Sequence, residues 1–150
     1  HVALPQGPAR RGAPAASRAT RLPFALPREA LLGEPLAVEA VDAGAPVLLE
    51  QDTCLQWAMS ASSTLTGFAC APSVRLDESM VLNAWEEQTH WRHVLVHMPR
   101  AVPVESGDRV WLRVRADLRH FPVVHTFEAS LLRRGGQQWE PVGVTEVRLR

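Results

Sequence analysis

The amino-acid sequence predicts an all-β domain, a barrel or sandwich of about eight mostly antiparallel strands. Three observations lead to this fold class. Short apolar stretches recur along the chain and are separated by turn residues. Arg109 to Asp117 alternates charged or small residues with apolar ones, which is typical of a strand with one wet face and one dry face. Little of the chain has a helical period, and no segment repeats another.

Composition narrows the class of protein further. The 150 residues suffice for one domain with a single core, and 46% of them are apolar at a formal net charge of zero. A neutral balance argues against a nucleic-acid partner. The basic residues are all Arg, with no Lys, Ile or Tyr, a bias typical of a high-GC bacterial genome. No signal peptide and no apolar run near the roughly 18 residues of a membrane span is visible, which predicts a cytoplasmic protein without a membrane partner.

The chain divides into a lead and one folded domain. Residues 1–21 are rich in Pro, Ala, Gly, Arg and Ser and have no apolar period, so we predict a flexible lead or linker there. Residues 22–150 are predicted to form a single β-barrel domain. Its first part, Arg28 to Gly33, predicts one helical turn closed by Gly33. Because the chain begins with His1 rather than Met, we expect it to be processed or cut from something longer.

Most of the predicted strands are short stretches bounded by turn residues. Leu36 to Val41 alternates and is followed by the turn residues at 42–46. Further strands are predicted at 79–84, 91–98, 109–118, 123–133 and 138–148. Strand 91–98 is expected to turn at 106–108 and to return along 109–118. Arg133 to Gln137, which contains two consecutive glycines, predicts a hairpin turn between the last two strands.

A hairpin is also predicted in the first half of the domain, from two apolar stretches that flank the polar residues 60–64. Its strands would be Thr53–Met59 and Leu65–Ala71. In that register Trp57 faces Gly67, whose bare backbone would accommodate the large ring. Cys54 would face Cys70. Two buried, reduced thiols are favoured because no secretion signal is present, and a secreted sandwich with a Cys54–Cys70 bridge is the alternative.

Several conventional sites are disfavoured by spacing. His93 and His97 would lie about 13 Å apart on a strand, too far for two ligands of one ion, so no metal site is predicted. Both histidines are expected on the face opposite Val94 and Val96, the wetter one. The chain has no glycine-rich nucleotide loop and no G-x-S-x-G nucleophile elbow. The neighbouring carboxylates of Glu86-Glu87 would point opposite ways, as in a solvated loop.

One polar stretch stands between a loop and an apolar strand. Thr89-His90-Trp91 places a hydroxyl, an imidazole and an indole in a row. On residue types alone, the favoured interpretation is that Trp91 anchors the strand and His90 is a loop residue. The alternative is a functional site.

This stretch and the predicted strand pair after it resemble the C-terminal β-barrel of the protein arginine methyltransferases. The matching residues are Gln88 to His93, then Val102-Pro103-Val104, then Gly107-Asp108-Arg109-Val110. That family carries a Thr-His-Trp loop, a basic residue directly after it, and a return strand entered through Pro-Val and Gly-Asp. The resemblance extends more weakly over about residues 30 to 150. It departs from the family at Gly67 to Ala71, where the family has an aromatic-Phe-Asp segment.

The resemblance implies that donor binding and substrate positioning belong to two different domains. In that family S-adenosylmethionine binds a separate Rossmann-type domain on the N-terminal side, where two glutamates hold the substrate guanidinium. Carried over, His90 would have the catalytic role of supporting a carboxylate of that domain. Trp91 would wall the substrate pocket, and Thr89 would fix the loop.

The resemblance therefore implies a non-catalytic, substrate-positioning module of an S-adenosylmethionine-dependent protein arginine N-methyltransferase-like enzyme, as a fragment or as one chain of a split enzyme. The chain has no glycine-rich donor loop and no double-glutamate loop, so we expect it to bind no cofactor by itself. The expected partners are a Rossmann-type methyltransferase domain or separate catalytic chain and an arginine-containing protein substrate, and a homodimer is left open. The alternative is a stand-alone β-barrel that serves as an interaction or ligand-binding module without activity.

Overall fold

The computed structural model of the chain describes residues 2–5, 19–23, 25–42, 44–87 and 91–149. These residues form eleven strands and one 3-10 turn, Arg28–Ala30. The strands are β1 (Val2–Pro5), β2 (Ala19–Arg21), β3 (Leu31–Leu36), β4 (Glu50–Ala58), β5 (Ser63–Cys70), β6 (Ser73–Arg75), β7 (Val81–Asn83), β8 (Val94–Val104), β9 (Arg109–Asp117), β10 (Val123–Leu132) and β11 (Glu140–Leu149). The predicted all-β class is confirmed, with eleven strands among the described residues instead of about eight.

Two open antiparallel sheets make the body of the protein. One has the strand order β2-β8-β5-β1-β3 and the other β11-β10-β9-β4, while β6 and β7 pair separately. Neither large sheet closes on itself, so the architecture is a sandwich. The core lies between the sheets, where the buried Leu65, Phe68 and Val96 of the first meet Leu112 and Phe127 of the second. The rings of Phe68 and Phe127 stack at a centroid distance of 6.2 Å.

The two ends of the sandwich differ. At one end, the short links 59–62 and 105–108 carry the chain from β4 to β5 and from β8 to β9, that is, from one sheet to the other. The opposite end, which we call the open end, is where β4, β8 and β10 begin and where β5 and β9 stop. The described segments that join strands at the open end are 37–42, 44–49, 71–87, 91–93 and 118–122.

The prediction of a flexible lead at 1–21 is wrong for the parts that the structure describes. Val2–Pro5 is a strand held between β5 and β3, and Val2, Ala3 and Leu4 are fully buried. Ala19–Arg21 pairs with β8 at the sheet edge. A four-residue strand covered on both faces shows no alternation, so its pattern cannot be told from an apolar linker. Residues 6–18 of the predicted lead lie outside the described residues.

The predicted hairpin between Thr53–Met59 and Leu65–Ala71 is wrong, although both strands exist. β4 pairs with β9 and β5 pairs with β8 and β1, so Trp57 and Gly67 lie in different sheets. The polar residues at the tip suit a link between two sheets as well as they suit a hairpin turn, because both are exposed connections. The prediction that β8 and β9 return on one another is wrong as well. The link 105–108 crosses between the sheets, so β8 and β9 belong to opposite sheets.

The cysteine pairing inferred from that hairpin is also wrong. Cys54 lies opposite Arg113 and Cys70 lies opposite Val94, and both thiols are free. Cys54 is exposed, contrary to the expectation of two buried thiols. Burial raises the pKa of the Cys70 thiol to about 12, so this thiol is protonated and unreactive at neutral pH.

The first strand of the domain lies earlier than predicted. Leu31–Leu36 is a strand, whereas residues 37–42 are not. The predicted helical turn is limited to the 3-10 turn Arg28–Ala30, and Gly33 is a strand residue. A Cβ on Gly33 would lie 3.0 Å from Cγ of Trp57 and closer still to Cδ1. The bare backbone that accommodates the Trp57 ring is therefore that of Gly33.

The second half of the domain agrees more closely with the prediction. Arg109–Asp117 is a strand with alternating burial, and Val123–Leu132 and Glu140–Leu149 pair as antiparallel neighbours. The predicted turn between the last two strands is confirmed, with Gly135 at a φ of 73°. Within the described residues, no helix is both long and apolar enough to cross a membrane.

Candidate functional site

The predicted site lies at the open end, where the chain enters β8. Trp91 stands three residues before Val94, the first residue of that strand, and is 38% exposed. Thr89 and His90, to which the resemblance gives the other two roles, lie outside the described residues. The structure therefore locates the end of the Thr89-His90-Trp91 stretch and not the whole of it.

His93 fixes the base of this stretch. Its ring is fully buried, its Nδ1 accepts a hydrogen bond from the Leu26 N–H at 3.0 Å, and its Nε2–H donates to the Ala84 carbonyl at 2.8 Å. These partners require the neutral tautomer with the proton on Nε2. The main chain of His93 adds a third bond, accepting from the Leu22 N–H at 2.9 Å. The expectation that His93 lies on the wetter face is wrong, because His93 precedes β8 and turns into the protein.

Trp85 packs against His93 and completes this anchor. The two ring centroids are 4.2 Å apart, and Trp85 is buried in a cluster with Ala3, Ala69 and Ala71. Small side chains on the sheet leave room for the indole over its outer face. The indole Nε1 is buried and has no hydrogen-bond partner in the part of the chain that the structure describes. The sequence analysis did not predict this anchor. An aromatic residue and a histidine eight positions apart are the only signal of it in the sequence.

The turn before the stretch is closed by backbone hydrogen bonds, and the side chain of one arginine lies beside it. The N–H groups of Glu86 and Glu87 both donate to the Asn83 carbonyl at 2.9 Å. Arg28 lies 3.4 Å from the carboxylates of both Glu86 and Glu34. All these charged side chains are exposed, so the pairs contribute little stability. The interpretation of Glu86-Glu87 as a solvated loop agrees with their exposure.

The other described histidines have structural partners. His97 Nε2 is 3.0 Å from the Thr20 hydroxyl, and its carbonyl accepts from the Thr145 hydroxyl at 3.1 Å, which ties the two sheets together. His125 Nε2 donates to Glu39 at 2.8 Å, and this hydrogen bond lowers the pKa of Glu39 below its usual value despite the opposing effect of burial. Among the described residues, no group of three potential ligands could hold a metal ion.

A groove of about 470 Å³ lies between β3 and β4, which are the outer strands of their sheets. Leu32, Leu36 and Trp57 give it an apolar floor, and Arg28 and Gln56 line its rim. The Trp57 indole N–H donates to the Glu34 carbonyl at 2.8 Å. The groove is separate from Trp91 in the chain, and sequence reasoning did not find it.

The described residues of the site combine an exposed aromatic ring with a buried, hydrogen-bonded anchor. Trp91 presents an aromatic ring, and His93 is held by its own hydrogen bonds and is buried, so it is not available as a general base.

No protein-family model matches the chain, and no curated protein sequence matches it significantly. The resemblance to the arginine methyltransferases is therefore carried only by the sequence, chiefly by the stretch around Trp91 and the two strands after it.

Proposed function

We propose that this domain is the non-catalytic, substrate-positioning module of an S-adenosylmethionine-dependent protein arginine N-methyltransferase-like enzyme, as a fragment or one chain of a split enzyme. The observation that carries the proposal is the position of Trp91. This large ring is 38% exposed at the open end and lies two residues from the buried, hydrogen-bonded His93. An exposed aromatic side chain next to a fixed anchor is suited to contacting a ligand or another domain.

The order of elements around the site supports the proposal. The resemblance expects a loop, a strand, a Gly-Asp turn and a return strand. Along the chain these elements occur in that order as Trp91, β8, the turn at Gly107-Asp108 and β9, with β8 and β9 in opposite sheets instead of paired with one another. Gly107 has a φ of 92°, and the Asp108 carboxylate accepts the N–H of Glu105, so the Gly-Asp pair has a physical role in the turn.

The module would position the substrate guanidinium and would form no covalent bond with it. The methyl donor, bound on another domain or chain, supplies the electrophilic methyl group. Trp91 would wall the pocket that receives the substrate guanidinium, and its flat ring would orient that planar cation. His90 would donate to a carboxylate of the donor-binding domain, and Thr89 would fix the loop.

Calorimetry and activity measurements test the proposal together. We expect residues 1–150 alone to show no binding of S-adenosylmethionine, and the native polypeptide, purified from its source cells together with any partner chain, to bind it. In that native polypeptide, Trp91→Ala should lower methyl transfer to an arginine-rich peptide by on the order of 100-fold. Trp139→Ala is the matched control, because Trp139 has the same 38% exposure but lies in the turn before β11. Donor binding by residues 1–150, or equal effects of the two substitutions, would refute the proposal.

The groove between β3 and β4 favours the second candidate function, a stand-alone interaction or ligand-binding module. Its apolar floor and polar rim are of the kind that takes a small ligand or a side chain of a partner. Under this alternative, His90→Ala changes neither stability nor partner binding, whereas Leu32→Glu, in the groove, weakens binding. Under the first proposal His90→Ala abolishes methyl transfer by the native polypeptide.

A further inference from the structure

The outer strands of the two large sheets differ in how their free edges are protected. An edge strand carries backbone N–H and C=O groups that can pair with another chain, so proteins commonly shorten, bend or interrupt such strands. β2 has three residues, β3 contains Pro35, and β11 contains Pro141 and pairs with β10 through a register shift. β4 has nine residues, contains neither Pro nor Gly, and pairs with β9 without a register shift. Among the described residues, β4 is therefore the outer strand with the most regular free edge.

The backbone of every second residue of β4 faces this free edge. Just before and just after the strand, Leu49 and Met59 both form backbone hydrogen bonds with the β9 side. Because the direction of the N–H and C=O groups alternates along a strand, the odd-numbered residues between them bond to β9 and the even-numbered ones face outward. The outward-facing residues, all exposed, are Glu50, Asp52, Cys54, Gln56 and Ala58. In the part of the chain that the structure describes, no other backbone group forms a hydrogen bond with this edge.

The charges along β4 make the strand complementary to an antiparallel copy of itself. Its acidic side chains, Glu50 and Asp52, lie at its beginning, and residues 56–58 at its end are uncharged. Both acids pair with arginines of their own chain, which lowers the repulsion between them but leaves the two ends of the strand different. Antiparallel pairing centred on Cys54 would place the acidic end of each chain against the uncharged end of the other, next to Arg109 on β9. Parallel pairing would place like charges opposite each other, which is unfavourable.

We infer that β4 is a self-association edge, along which two copies of the chain pair antiparallel about a two-fold axis at Cys54. Their four-stranded sheets would then join into one continuous sheet. Such a contact uses the same surface on both copies, so it requires a strand that is complementary to itself. The regular backbone of β4 and the placement of its charges both meet this requirement. The inference does not rest on the proposed function, because it uses no residue of the stretch around Trp91.

Sedimentation of residues 1–150 measures this pairing. At roughly 100 μM chain, a dimer with a dissociation constant of up to about 10 μM is mostly formed, and we expect a dimer. Gln56→Glu should raise the dissociation constant about ten-fold, because the two-fold axis places the new carboxylate opposite Asp52 twice. Gln56→Arg should lower it several-fold for the opposite reason. Gln138→Glu, the matched control, should leave it unchanged, because Gln138 is also exposed but lies in the turn before β11.

Two sedimentation results would overturn the inference. One is a chain that stays monomeric at this concentration, which would leave the edge of β4 to an extended segment of another protein. The other is a dimer whose dissociation constant is the same for Gln56→Glu, Gln56→Arg and Gln138→Glu, which would place the contact elsewhere on the surface.

Cross-linking at Cys54 locates the two-fold axis. Directly opposite residues of a hydrogen-bonded antiparallel pair have Cα atoms about 5.5 Å apart, within the range that a disulfide spans. The oxidant diamide should therefore join two chains through Cys54; each thiol loses its proton and diamide is reduced to the hydrazine. Cys54→Ser should prevent the cross-link and leave the dissociation constant unchanged, whereas the buried Cys70, replaced in Cys70→Ala, should not be needed for it. A wild-type dimer that diamide does not cross-link would overturn the inference.

Discussion

Replacing Asp108 by alanine should destabilise the turn between the two sheets. Asp108 is 2% exposed, and its carboxylate accepts the N–H groups of Glu105 at 3.0 Å and of Arg134 at 2.8 Å. Arg133 adds a guanidinium contact at 2.9 Å. An unpaired buried donor costs about 1–3 kcal/mol, and both N–H groups are only part-buried, so we take about 1–1.5 kcal/mol for each. Asp108→Ala should therefore lower the free energy of unfolding by about 2–3 kcal/mol.

Thermal and urea unfolding, followed by tryptophan fluorescence, measure this loss. For a domain of this size, about 2–3 kcal/mol corresponds to a fall in Tm of roughly 5–10 °C. Asp108→Asn keeps one acceptor oxygen and should fall between the wild type and Asp108→Ala. Asp52→Ala is the control, because both carboxylate oxygens of Asp52 accept hydrogen bonds from Arg113 in an exposed pair, and its loss should shift Tm much less. If Asp108→Ala shifts Tm no more than Asp52→Ala does, the carboxylate does not hold the turn and the reasoning is refuted.

The same contacts give Asp108 a predictable pH dependence. Burial alone would raise the pKa of Asp108, but the N–H groups of Arg134 and Glu105 and the Arg133 guanidinium outweigh it and lower the pKa below its usual value. A lowered folded-state pKa stabilises the protein above the unfolded pKa of about 3.9, and this stabilisation is lost as the pH falls through the folded-state value. The difference in unfolding free energy between the wild type and Asp108→Ala should be complete near about pH 6 and shrink below about pH 4. A difference that stays constant down to about pH 2 would contradict this assignment.

Three further predictions concern the core and the anchor. Gly33→Ala should cost about 1–3 kcal/mol in the unfolding free energy, because its Cβ would overlap the Trp57 indole; unchanged urea unfolding would contradict this. A thiol reagent at about pH 8 should modify Cys54 quickly and Cys70 only on unfolding, since burial raises the pKa of Cys70 to about 12; two fast thiols in the folded protein would be inconsistent with the structure. His93→Ala should cost about 2–4 kcal/mol because it leaves a backbone donor and a backbone acceptor unpaired, as measured by urea unfolding; His93→Gln should restore part of it.

The sequence predicts the second half of the fold better than the first, for a physical reason. Arg109–Asp117 has one solvated face and one core face, so its alternation is visible in the residues themselves. Val2–Pro5 is covered on both faces, has only four residues and shows no such alternation. Strand pairing is harder still to predict, since a short link such as 59–62 can join strands of one sheet or of two. Strand propensity and hydrophobic periodicity are properties of a short segment, whereas the strand with which that segment pairs depends on the whole core.

The candidate site shows the same limit. The sequence places Trp91 at the entrance to β8, and the structure agrees to within three residues. The surroundings of His93 are not predictable, because its partners Leu26 and Ala84 come from segments whose approach no local pattern reveals. Trp85 was missed for the same reason. The roles of Thr89 and His90 stay predictions that rest on the resemblance.

The central claim is that the open end closes an arginine pocket of a donor-binding domain. Its most direct test is methyl transfer from S-adenosylmethionine to an arginine-rich peptide by the native polypeptide, purified with any partner chain, with wild-type His90 and with His90→Ala. We predict transfer by the wild type, and a loss on the order of 100-fold or more for His90→Ala with an unchanged Tm. A wild type that transfers nothing, or a His90→Ala variant that transfers at the wild-type rate, would contradict the claim.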